Sequence, residues 1–167
     1  MKADLIIKNI DNLITLKGPN RPRVKEEMED IGLIKNGIVA TRGDRIIYVG
    51  KGELPEDIER HEETIIIDGK GKTLTPGLVD SHTHLVHGGS REHELAMKLK
   101  GATYLEILEA GGGIHNTVKE TRRASFNELY EKAKKSLDIM LSFGITTVEA
   151  KSGYGLDDFD TEIKQME

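Results

Sequence analysis

The chain has 167 residues, of which 37% are hydrophobic and 32% charged; its formal net charge is −5 and it contains no cysteine. That length is about one domain, enough to bury ~70% of the unfolded surface, and the missing cysteine excludes disulfides, thiolate nucleophiles and cysteine-based metal sites, so any metal must be held by histidine and carboxylate. The acidic balance gives no general electrostatic reason to bind nucleic acid or an anionic membrane.

The first 75 residues read as β-structure. Ala3 to Ile10 and Asn12 to Lys17 carry short runs of β-branched and apolar residues, including Leu5, Ile6, Ile7, Ile10, Leu13 and Leu16. Leu5-Ile6-Ile7 lies between Asp4 and Lys8, too short and broken for a signal peptide. No stretch approaches the ~20 apolar residues of a membrane span, so a soluble, cytoplasmic protein is expected. Gly18 to Asp30 holds Pro19, Pro22 and mixed charge without a period and reads as a loop. Leu33 to Ala40 and Arg45 to Val49 flank Arg42-Gly43-Asp44 as a hairpin. Thr64 to Ile67 is a further strand, followed by the turn Asp68-Gly69-Lys70-Gly71.

The character changes at Thr75-Pro76-Gly77. Leu78 to His84 reads as a buried strand with a polar end. Helices are predicted over Thr103 to Ala110 and Ile114 to Arg123, separated by Gly111-Gly112-Gly113. A longer helix opens at the capping box Ser125 with Glu128 and carries Phe126, Leu129, Tyr130, Ala133, Leu137, Met140 and Leu141 on one face. Ile145 to Ala150 is a strand, and Asp160 or Thr161 opens a last helix. Strand, helical crossover and strand imply a parallel α/β arrangement with right-handed connection. Two such strands close no barrel, and a parallel sheet wants both faces covered.

The strongest chemical signal is Asp80-Ser81-His82-Thr83-His84. Residues i and i+2 of a strand share a face, so His82 and His84 aim two imidazoles at one point. Imidazole nitrogen suits zinc or iron, and strand C-terminal ends are where α/β folds build sites. His87 stands near the pair or simply in the loop, while His93, His115 and His61 read as solvated. Gly88-Gly89-Ser90-Arg91 reads first as a flexible loop with a surface arginine, and secondarily as a close backbone approach with a guanidinium able to grip a carboxylate. Gly111-Gly112-Gly113 is first a helix stop and secondarily a set of N–H groups for an anion at the next helix start. Tyr154, in Ser152-Gly153-Tyr154-Gly155 after the second strand, either faces a ligand or is an exposed loop residue. Gly71-Lys72-Thr73 fails as a phosphate loop because Ile66 stands at the required glycine and no helix follows. Arg122-Arg123 and Lys132 to Lys135 are interleaved with Glu120, Glu128 and Glu131 and read as solvated helix faces.

The run from Thr75 to His84 resembles the metal-dependent amidohydrolase superfamily. The fuller run His82 to Glu92, with Gly111-Gly112-Gly113-Ile114, Thr117-Val118 and Lys151 to Leu156, is similar to the imidazolonepropionase family over essentially the whole chain. His87 stands where an aromatic is more usual. The resemblance implies a (β/α)8 barrel of the TIM type, incomplete here, with a small β-sandwich domain. Residues 1–75 would supply part of the sandwich and residues 76–167 the first βα units of the barrel. It further implies His82 and His84 as metal ligands for zinc or iron, and Arg91, Tyr154 and Tyr104 as substrate contacts, with Arg91 on a propionate carboxylate. The implied reaction is hydrolysis of the ring amide of 4-imidazolone-5-propanoate to N-formimidoyl-L-glutamate in histidine degradation. Family members are longer, so the remaining metal ligands and the acid–base groups are expected beyond Glu167. The implied partner is a small-molecule substrate, with a homo-oligomer as an option. Two alternatives stay open: another cyclic amidohydrolase, or a non-catalytic chain that associates with itself through its open sheet.

Overall fold

A computed structural model describes residues Met1 to Glu167, and they fold as two units, Met1–Pro76 and Gly77–Glu167. Strand β1 (Lys2–Ile14) is the spine of the first. It pairs antiparallel with β2 (Leu33–Arg42), which pairs antiparallel with β3 (Arg45–Lys51). On its other edge β1 pairs in parallel first with β4 (Glu59–Asp68) and then with β5 (Thr73–Leu74).

The sequence predicts two strands where β1 runs unbroken. The pairing register shifts between Ile7 and Ile10, where Asn9 adopts φ +56°, so an irregularity absorbs the polar interruption without ending the ladder. Ile7 and Ile10 thereby pack in one apolar cluster with Leu13 and Val39. A second cluster gathers Ala3, Ile6, Ile38, Ala40 and Ile58. Ile38 and Ala40 join one cluster and the intervening Val39 the other, so both faces of β2 are covered. The hairpin turns at Gly43, whose φ of +55° suits glycine and whose N–H donates to Asp4 Oδ2 at 2.6 Å. Within the predicted loop, Lys25–Glu29 form a single 3-10 turn, and Arg21 grips Glu27 through two hydrogen bonds of 2.7 Å.

In the second unit β6 (Leu78–Thr83) pairs in parallel with β7 (Ile145–Ala150). Between them come α1 (Glu92–Leu99), α2 (Tyr104–Glu109), α3 (Gly113–Arg123) and α4 (Phe126–Ser142), and α5 (Phe159–Met166) follows β7. The capping box at α4 forms as the sequence predicts: Ser125 Oγ accepts from the Glu128 N–H at 3.3 Å, and the Glu128 carboxylate accepts from the Ser125 N–H at 2.8 Å. Helix α1 is not foreseen, because its one buried residue is Glu94 while Leu95 and Leu99 are exposed, the reverse of an apolar stripe. Ile107, Val118, Leu129 and Ala133 are buried beside polar Glu94, Thr117, Thr121, Thr161 and Gln165. The two-stranded sheet is open, and Leu78 and Val79 on β6 are exposed. No helix is long and apolar enough to cross a membrane.

Ile10 is fully buried at the β1 irregularity. Ile10→Ala is expected to destabilise the first unit by about 2–5 kcal/mol, read as a lower urea midpoint with unchanged slope.

Candidate active site

The two histidines stand at the C-terminal end of β6. His82 lies within the strand and His84 just past it. The β6–β7 register shifts between Asp80 and Thr83, so three steps on β6 oppose two on β7. This extra residue re-aims the strand end. The His82 and His84 rings nonetheless remain neighbours, with centroids 5.7 Å apart and planes at 74°. His82 is exposed and His84 half-buried. The Nδ1 of His84 is buried with no hydrogen-bond partner, an orphaned donor-acceptor atom of the kind a metal or ligand satisfies. Two imidazoles, one with an unsatisfied ring nitrogen, fit part of a zinc or iron donor set. No set of three histidines or carboxylates forms around them. Glu149 on β7 is near enough to His82 to feel its charge, but it is ion-paired to Lys151, which holds its carboxyl below the usual range.

Tyr154 packs on His84 and His87. Its ring centroid is 4.7 Å from that of His84 and 6.0 Å from that of His87. It is half-buried, which decides against a free loop tyrosine. His87 Nδ1 lies 2.9 Å from the His84 carbonyl, so that nitrogen carries the proton and donates. Burial, aided by Lys132, holds the His87 pKa below its ordinary value, which keeps the ring neutral at pH 7.

Arg91 does grip a carboxylate, but one from its own helix. Its Nε and Nη2 donate to Glu94 Oε1 and Oε2 at 2.8 and 2.9 Å. Glu94 is 3% exposed, and its Oε1 also accepts the Gly113 N–H at 2.6 Å. The anion expected after the glycine run is thus this side chain, set at the N-terminus of α3. The Arg91 hydrogen bonds hold the Glu94 pKa down at about 2, against burial that raises it. Glu94 raises the Arg91 pKa in turn, with smaller contributions from nearby Tyr154 and Tyr104. Tyr104 itself is exposed. The spacing Arg91-x-x-Glu94 was the available signal for Glu94; it shows only once α1 is known to be a helix.

Helix α3 seats both loops. The Gly88 N–H donates to Thr121 Oγ1 at 2.9 Å, and that hydroxyl donates to the Thr117 carbonyl at 2.7 Å. A Cβ at Gly88 would stand 2.3 Å from the Glu120 carbonyl oxygen. Arg122 is not on a solvated face. Its Nε and Nη2 donate to the Gly155 carbonyl at 3.2 and 2.6 Å, and Nη2 also pairs with Asp157. The long guanidinium reaches past the neighbouring glutamates to unpaired loop acceptors. Lys132 likewise donates to the Gly89 carbonyl. Glu162 Oε1 accepts the Gly155 and Leu156 N–H groups at 2.5 and 3.0 Å, closing the Tyr154 loop from α5. His93 and His115 are exposed as expected. His61, in the first unit, is half-buried rather than solvated, with Nε2 at 3.5 Å from Asp4 Oδ1.

No family model matches the chain. The imidazolonepropionase of Alkaliphilus metalliredigens is 56% identical over 167 residues, covering 100% of this chain and 39% of that protein. That of Geobacillus kaustophilus is 52% identical over 170 positions, covering 98% of this chain and 39% of that protein. Over its whole length the chain is thus similar to imidazolonepropionases. It spans 39% of the length of these relatives. Among solved structures, an atrazine chlorohydrolase of Arthrobacter aurescens complexed with zinc gives a TM-score of 0.57 at 23% identity, covering 96% of this chain and 32% of that one. A prolidase complexed with N-methylphosphonate-L-proline gives 0.53 at 19% identity, covering 89% and 26%. The mixed α/β fold matches a part of each. The imidazolonepropionase motifs quoted from the sequence lie on the β6 end, the α3 N-terminus and the loop after β7.

Two outcomes follow from this geometry. The Glu94 carboxylate, monitored by carbon-13 NMR, is expected to titrate near its folded value of about 2 rather than the ordinary 4.5. Because its folded pKa is depressed, its contribution to stability is complete above pH 4.5 and is lost as pH falls through about 2; a titration midpoint near 4.5 would show that the pair does not form. Gly88→Ala is expected to cost about 1–3 kcal/mol through its clash with backbone, read as a lower unfolding midpoint of the second unit.

Proposed function

We propose that the chain is the N-terminal portion of an imidazolonepropionase, which hydrolyses the ring amide of 4-imidazolone-5-propanoate to N-formimidoyl-L-glutamate. The observation that carries this reading is the convergence of His82, His84 and Tyr154 at one strand end, with Arg91 at the start of the helix that follows, in a chain 56% identical to a named imidazolonepropionase. The second unit is then the opening βα section of a (β/α)8 barrel, and its site lies where such barrels place theirs. The first unit is then part of a β-sandwich domain. The exposed apolar residues of β6 agree with a sheet that continues in the longer relatives.

In this reading His82 and His84 hold one zinc or iron ion, which when bound supplies Lewis acidity toward the ring carbonyl. The chain's own residues bind and orient. The Arg91 guanidinium takes the propionate carboxylate, a charge-assisted contact that fixes one end of the substrate. Tyr154, tilted against His84, presents its ring to the flat heterocycle and its hydroxyl to a ring heteroatom. Tyr104 lines the carboxylate end beside Arg91. Neutral His87 donates to the His84 carbonyl and steadies the turn between the two sites. Holding the substrate at both ends converts binding into orientation of the scissile amide. In the net reaction the ring C–N bond breaks, the carbon gains hydroxyl and the nitrogen gains hydrogen, both from one water.

The full gene product, supplied with zinc or iron, is expected to bind metal and hydrolyse imidazolonepropionate, followed by loss of its ultraviolet absorbance. His82→Ala or His84→Ala is expected to weaken metal binding by more than the about 10–100-fold typical of residues one shell further out. A metal-loaded product that leaves this substrate unchanged but opens another cyclic amide would overturn the substrate assignment.

A further inference from the structure

Glu94 takes part in no step of the proposed reaction, yet it is the most deeply buried charged side chain of the second unit. A buried carboxylate is costly unless fully hydrogen-bonded, and here it is: Oε1 accepts from Arg91 Nε at 2.8 Å and from the Gly113 N–H at 2.6 Å, and Oε2 accepts from Arg91 Nη2 at 2.9 Å. The geometry points to Glu94 as the positioning residue for Arg91. This inference rests on Arg91 being the carboxylate-binding group.

The argument is one of donor geometry. A guanidinium has five N–H donors in a rigid plane. Glu94 occupies the edge made by Nε and Nη2. The remaining edge, made by Nη1 and the second Nη2 hydrogen, is left for a ligand. A flexible arginine pays rotamer entropy to present either edge. Arg91 is spared this, because Glu94 is itself fixed by the start of α3. The same contact sets the charge. Arg91 and Glu94 together are neutral, so the free edge attracts a carboxylate through directed hydrogen bonds rather than net positive charge. Such a site favours a planar monoanion, whose two oxygens match the fork.

The test uses the full gene product and two competitive probes, 3-(imidazol-4-yl)propionate and 4-ethylimidazole, which share the ring and differ in the carboxylate. Glu94→Gln keeps an acceptor for the Gly113 N–H but turns an amide NH2 toward Arg91. It is expected to weaken inhibition by the propionate about tenfold, the scale of one charge-assisted hydrogen bond, with the ethyl compound unchanged. KM for imidazolonepropionate is expected to rise more than kcat falls. Glu94→Asp, which keeps the charge on a shorter arm, is expected to recover part of the preference. A purely structural role would weaken both probes alike, and that result would overturn the inference. So would an undiminished propionate preference in Glu94→Gln alongside its loss in Arg91→Met. If Arg91→Met also keeps the preference, the assignment of Arg91 fails and the inference falls with it. Should Glu94→Gln not fold, a Glu94→Asp protein with native preference decides against positioning, and one with an intermediate preference for it.

Discussion

The second unit depends on one helix carrying more than its own hydrogen bonds. The Thr121 hydroxyl of α3 accepts the Gly88 N–H, which docks the chain leaving β6. Two turns earlier, the Gly113 N–H at the start of α3 fixes Glu94 and through it Arg91. At its other end Arg122 holds the Gly155 carbonyl beyond β7. Lys164 of α5 donates to the Ala124 carbonyl at 2.7 Å, placing a cation where the helix dipole favours one. The segments that present His84, Arg91 and Tyr154 are therefore referenced to a common rigid rod. Distances among them are set by helix geometry rather than by the loops, which keeps these candidate residues in register.

The interior that results is unusually polar. Thr117, Thr121, Thr161, Gln165 and Glu94 are buried beside a small apolar set. A hydrogen bond adds only about 1 kcal/mol net, but leaving a buried partner unmade costs more. Such an interior is therefore weak as a source of stability and strong as a source of specificity. The first unit divides the labour differently. Its two apolar clusters cover both faces of β2, and its polar groups lie mainly at turns, such as Asp4 under Gly43.

What the sequence reveals follows from this difference. In the first unit the β-branched runs of β1, β2 and β4 are legible because burial there is apolar and periodic. The continuity of β1 through Asn9 escapes because it needs a backbone irregularity, the Glu59–Glu63 half of β4 because it is a charged run, and the 3-10 turn and the two-residue β5 because they are too short for any period. In the second unit β6, β7, α2, α3, α4 and α5 are visible, α4 most clearly through its cap. Helix α1 is hidden because it buries a glutamate. His82 and His84 can be picked out by alternation, whereas the register shift between Asp80 and Thr83 depends on pairing with β7 and leaves no mark in the sequence. Glu94 and Arg122 are missed for a shared reason. Charged residues in a charged neighbourhood read as solvated, and only long-range contacts, to Gly113 and to Gly155, show otherwise.

One of those long-range contacts bears on the order of events during synthesis. The side-chain amide of Gln165 on α5 donates to the carbonyl of Val86, 79 positions earlier, at 2.8 Å. Val86 lies between His84 and His87, in the turn that carries the candidate ligands. At roughly 5–20 residues per second, the ribosome makes this turn several seconds before it makes the amide that secures it. The first unit needs no such wait, since all its strands precede Gly77. The nascent chain can thus finish a sheet while the turn with its two histidines still lacks its last anchor, which arrives only with α5.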